Sequence, residues 1–253
     1  MSFKDRFTKS SNPVLSEERL QSVSRHFAPD LANPHAVPAT TEGAVNKTFI
    51  LTALLLLTAL YAFYAPSMLF VWGGAIGGLV CVVAMSFKPA WSPTLAPVYA
   101  LLEGLFVGAI SAIYAGSFGV GLVFQAILLT VALLFMMLFI YKAGIIQVTG
   151  RFRKGVLMAT GAILLVYLVN IALGFFGINI PFLHEGGMIG IGISLVIIVV
   201  ATLNLLLDFD NFDKIEEYRS PQYMEWFCAM GLIVTLVWLY IELLRLLSVL
   251  SRD

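Results

Sequence analysis

In this chain of 253 residues only a few ionisable side chains stand inside long apolar runs, and these are the residues that could do chemistry. Glu103 lies in Tyr99-Ala100-Leu101-Leu102-Glu103-Gly104-Leu105, Asp208 closes a later run, and Glu242 and Arg245 lie in the last one. A charged group within a bilayer costs about 2.5–3.5 kcal/mol on insertion scales, so each is a functional candidate by default. Two carboxylates brought to one layer would repel when ionised and would share a proton instead. The same oxygens, once ionised, suit a hard cation such as Ca²⁺. Asn204 and Asp208 are four residues apart and share a helix face, which makes Asn204 a supporting residue. Glu242 and Arg245, three apart, suit an internal ion pair.

The elements that must position these residues are membrane spans. The chain is 60% hydrophobic and only 12% charged, where a soluble domain carries about 25% charge. So few charges could not cover so much apolar surface in water. Seven runs are long enough to cross about 30 Å of hydrocarbon as helices. They lie near Lys47–Ala65, Ser67–Phe87, Pro97–Ala115, Gly119–Tyr141, Gly155–Gly177, Gly187–Leu207 and Trp226–Leu250. None alternates polar and apolar residues as a barrel strand would. The expected fold is an all-α bundle of seven spans, residues 45–250, behind a polar arm, residues 1–44. Asn12-Pro13-Val14-Leu15-Ser16-Glu17-Glu18 in the arm reads as a turn and a capped helix start.

Charge placement orients the bundle. Lys and Arg fall in the arm and in the loops holding Lys88, Arg151-Phe152-Arg153-Lys154, and Lys214 with Arg219. The alternate loops, near Pro66, Gly116–Gly119 and Ile178–Gly186, carry neither. The positive-inside rule then sets the N-terminus in the cytoplasm. Arg245 and Arg252 fit poorly at an external end, so a re-entrant last segment is the alternative to a seventh crossing. With span three entering at Pro97, Glu103 is expected about 9 Å deep, and Asp208 at the inner boundary about 30 Å along span six. Asp210, Asp213, Glu216 and Glu217 read as a solvated loop face.

Other motifs fall short. His184-Glu185 lacks the second His of a zincin helix. Asp208-Phe209-Asp210-Asn211-Phe212-Asp213 begins like a calcium loop, but Phe212 and Asp213 break the pattern. No Ser sits in a nucleophile elbow, so no enzyme activity and no cofactor are expected. Net charge is zero, which gives no basic bias toward nucleic acid. Cys81 and Cys228 form no metal-ligand spacing and read as buried apolar residues. The glycine pairs Gly73/Gly77, Gly74/Gly78, Gly104/Gly108 and Gly186/Gly190 read as close helix packing.

The Glu103-Gly104-Leu105-Phe106-Val107-Gly108 stretch, the Asp208–Asp213 exit from span six and the ending Leu236–Leu247 together resemble the Bax inhibitor-1 family of bacteria, in its branch with a long N-terminal arm. The resemblance covers residues 45–250. It implies a bundle with a central C-terminal helix. It also implies a pH-sensitive calcium leak governed by two aspartates on helices six and seven. The first falls on Asp208, with Asp210 a close rival. The second position falls on Thr235, which is not acidic. Glu242, seven residues on, keeps nearly the same face but lies about 10.5 Å further along the axis. The family's arginine near the end of span two is absent, and Lys88 is the nearest cation.

The expected function is a pH-responsive cation leak, with Ca²⁺ as cargo, in the bacterial cytoplasmic membrane. Glu103 and Asp208 would form its proton-sensitive layer, and Asp210 would collect ions. Asp208 and Asp210 are the candidate Ca²⁺ ligands. The expected partners are lipid, Ca²⁺ and protons. The alternative is an interaction protein that modulates a membrane protease or stress machinery through its arm and basic loop, without conduction.

Overall fold

The computed structural model describes residues 38–175 and 188–251. Seven helices occupy most of them: α1 (Thr41–Tyr64), α2 (Met68–Phe87), α3 (Ser92–Phe118), α4 (Val120–Lys142), α5 (Gly150–Phe175), α6 (Met188–Glu217) and α7 (Tyr223–Leu250). All seven are long and apolar enough to cross a membrane. Extended pairing among the described residues is limited to one isolated antiparallel bridge, Pro38 with Pro221. The protein is thus the seven-helix membrane bundle that its composition demanded. In α7, 72% of the apolar window is buried, against 39% or less in the other six, as a central helix requires.

Local chemistry sets the helix ends. The Thr40 hydroxyl accepts the Gly43 N–H and starts α1, and the Ser67 hydroxyl does the same for α2 through Leu69. Such caps satisfy amides that have no partner within the helix. Two helices end in the same double-bonded turn. At α4, Ile145 N–H reaches Ile140 O and Gly144 N–H reaches Tyr141 O, with Gly144 at φ +66°. At α6, Ser220 N–H reaches Ile215 O and Arg219 N–H reaches Glu216 O. Arg219 there holds φ +48°, a conformation usually left to glycine.

By contacts the chain divides into two units, Met1–Ile113 with Asp208–Val234, and Tyr114–Leu207 with Thr235–Asp253. Helices α3, α6 and α7 each give a segment to both. In the first unit, glycines bring backbones together. A Cβ on Gly104 would strike the Thr58 hydroxyl and the Leu55 carbonyl of α1, and one on Gly108 would strike the Ala59 carbonyl. A Cβ on Gly74 would lie 2.6 Å from the Leu102 carbonyl oxygen. Close packing is therefore the role of these pairs, while Gly73 faces open space. Gly186 lies outside the described residues. In the second unit, the Asn204 amide on α6 donates to Thr160 Oγ1 on α5 at 2.8 Å.

Three expectations about boundaries change, and one alternative is not seen. Helix α1 begins at Thr41, inside the stretch assigned to the arm, because Thr40 caps it. Helix α3 begins at Ser92, so Pro97 is an interior residue of the helix and not its entry. Helix α6 runs ten residues past Leu207. Phe209, Phe212 and Ile215 are buried at helical spacing, and Lys214 pairs with Asp210 at 3.1 Å, so one face stays packed after charge appears in the sequence. Asp210, Asp213, Glu216 and Glu217 are therefore helical and form no loop. Finally, α7 is one continuous helix, with no re-entrant break. The arm's expected turn, His184 and the loop Ile178–Gly186, and Arg252 lie outside the described residues.

Candidate functional site

Glu103 is carried by α3, eleven residues from its start, and Asp208 by α6, nine residues from its end. Those two helix ends share one side of the first unit. Ser92 Oγ at the start of α3 donates to Tyr223 O at the start of α7, and Thr41 at the start of α1 donates to Phe212 O near the end of α6. At 1.5 Å per residue, Glu103 stands about 16 Å and Asp208 about 14 Å from that side. Both are deeper than the sequence suggested, because α3 starts earlier and α6 ends later. Asp208 is consequently an interior residue of its helix.

The two acids share a depth but not a contact. Glu103 faces α2: its Oε2 lies 2.6 Å from where a Cβ on Gly78 would stand, and the Tyr99 ring covers the same spot at 3.5 Å. Glycine at 78 is thus what makes room for the carboxylate. Glu103 has no hydrogen bond or ion pair with any described residue, so it does not share a proton directly with Asp208. Asp208 is 8% exposed, and its Oδ1 lies 3.9 Å from the corresponding point at Gly231 of α7. One acid faces α2 and the other faces α7.

The remaining candidates divide. Asp208 and Asp210, two residues apart on a continuous helix, point to nearly opposite sides and cannot chelate one ion together. Asp210 is held by Lys214 instead. No group of three or more His, Cys, Asp or Glu side chains among the described residues could hold a metal. Asn204, Thr235, Glu242 and Arg245 all belong to the second unit. There Glu242, 3% exposed, accepts a hydrogen bond from the Tyr167 hydroxyl of α5. Its other oxygen meets Arg245 at 2.8 Å. The expected internal ion pair is present, and Tyr167 is a third member that the sequence gave no reason to single out. Thr235 is buried. Lys88 ends α2 and lies 4.7 Å over the Trp91 ring. In the basic stretch, Arg153 is buried and belongs to α5, which removes it from any exposed docking face. Cys81 and Cys228 are both buried, as expected.

A second acidic centre escaped the sequence reading. Glu225, 3% exposed at the start of α7, accepts from Thr40 N–H at 2.9 Å and meets Lys47 Nζ at 3.0 Å. It stood one residue outside the expected span, and its partners are about 180 residues away in sequence.

Such a bundle, apolar outside and carrying buried carboxylates on α6 and α7, defines a multi-pass α-helical membrane protein with acids in its spans. The chain belongs to the Bax inhibitor 1 like family, whose pattern matches residues 7–252. No individual curated protein matches it.

Proposed function

We propose that this protein is a proton-controlled cation leak, with Ca²⁺ as its cargo, in the bacterial cytoplasmic membrane, with its N-terminus in the cytoplasm. The observation that carries the reading is the pair of carboxylates, Glu103 and Asp208, at one depth within one unit. Carboxylates kept at that depth despite their cost mark a path for charge. Since the two do not touch, they act as separate stations. Protonating either removes a negative charge from the path, and ionising it offers oxygens to a hard cation. Asp210 contributes less than expected, because Lys214 offsets its charge. The chemistry is transfer of an ion and not catalysis of a reaction.

The test is Ca²⁺ flux into proteoliposomes at about pH 6 and about pH 8. Wild-type flux should differ between the two. Glu103→Gln/Asp208→Asn should give one flux at both. Equal pH dependence in wild type and variant would remove these residues from the mechanism.

A second reading is an interaction protein that engages a membrane-protein partner through its arm. The bonds that tie residues 38–47 to α6 and α7 would carry such an engagement into the bundle.

A further inference from the structure

The chain ahead of α1 is fastened to the end of α6 and the start of α7 by a continuous set of bonds. Ala39 N–H donates to Ser220 O at 2.7 Å beside the Pro38–Pro221 bridge. Thr41 donates twice to α6, from its N–H to Glu216 Oε2 at 2.7 Å and from its hydroxyl to Phe212 O at 3.1 Å. Thr40 and Lys47 converge on Glu225. Gly43 leaves room here for the Glu225 carboxylate, which a Cβ would displace. The Lys47 ammonium also lies 5.8 Å from the Trp226 ring centroid. Around Glu225 the charged and titratable groups with contacts on the page are therefore Lys47 from α1 and, next in line, Glu216 from α6.

We propose that Pro38–Lys47 is a strap that holds the Asp208-bearing end of α6, so that a pull on the chain ahead of Pro38 loosens that end. The path is short. Phe212, whose carbonyl Thr41 holds, is one helical turn from Asp208. Glu225 is the lock. A buried carboxylate that loses its cation is strongly unfavourable, so the strap is held as a unit and lets go as a unit. The consequence for ions rests on the leak reading above. The mechanical coupling does not, and its test reads structure alone.

The test is backbone hydrogen exchange of the full chain in lipid nanodiscs. In Lys47→Glu, amides of residues 39–47 and of 212–217 should both exchange at least about tenfold faster, as local opening of a packed segment does. Lys47→Arg, which keeps the cation, should leave both near the wild-type rate. A second variant avoids dependence on that charge. Pro38→Cys/Pro221→Cys joins two residues that face each other across the bridge, at a separation a disulfide can span. Its oxidised form should slow exchange at 212–217 relative to its reduced form. Faster exchange at 39–47 with none at 212–217 in Lys47→Glu, or equal exchange at 212–217 in oxidised and reduced forms of the cross-linked variant, overturns the proposal.

Discussion

At the scale of single residues, the protein handles the half-buried Glu103 and the buried Glu225 and Glu242 in three different ways. Glu103 is accommodated by space, with Gly78 leaving room for the carboxylate under Tyr99. Glu225 is neutralised by a lysine from another helix. Glu242 is bound on both sides, by the Tyr167 hydroxyl and by Arg245. Of these three, only Glu103 has no hydrogen bond or ion pair with a described residue, whereas the other two are tied into the frame. The frame assignment is measurable. Tyr167→Phe should lower stability by about 1–2 kcal/mol in a detergent-denaturation titration, since it strips a hydrogen bond from a buried acid. No loss would mean that Arg245 alone satisfies Glu242.

At the scale of helices, backbone proximity decides which residues meet. Gly104 and Gly108 press α3 against carbonyl groups of α1, and those carbonyls cannot move aside as a side-chain tip would. Gly104→Ala and Gly108→Ala should each cost about 1–3 kcal/mol, the usual penalty of overpacking. Gly73→Ala, facing open space, should stay within about 0.5 kcal/mol. A thermal melt in detergent separates the two cases; a harmless Gly108→Ala would show that α1 and α3 are not in close contact. The spacing of four announced packing helices in the sequence, but it did not say that Gly78 serves a carboxylate while Gly74 serves a backbone. Both lie on the same face of α2, and only the residues opposite, Glu103 and Leu102, tell them apart.

At the scale of the whole molecule, the proposed orientation together with seven crossings predicts chain ends on opposite sides of the membrane. Cleavable tags on intact spheroplasts should confirm it, with the C-terminal tag accessible from outside and the N-terminal tag protected. Access to both from one side would mean that one helix does not cross. The strap adds a constraint of the same scale. Deleting the arm through residue 44, the boundary composition suggests, would also remove Thr40 and Thr41 and so untie α6. A deletion ending before Pro38 leaves the strap in place.

The sequence by itself determined the membrane class, the all-helical fold and the number of spans. Each of these depends on the hydrocarbon thickness and on backbone bonds closed within a helix, and neither needs a distant partner. It also determined the Glu242–Arg245 pair, because residues three apart on a helix are neighbours by construction. The tertiary structure decided the rest. The end of α6 lay nine residues beyond the first acid, because Phe209, Phe212 and Ile215 are buried. Glu225 became a buried lock because Thr40 and Lys47 arrive from the far end of the chain. Glu103 and Asp208 reached the same depth yet face different helices. Depth follows from counting residues along an axis, whereas facing depends on which helix stands opposite.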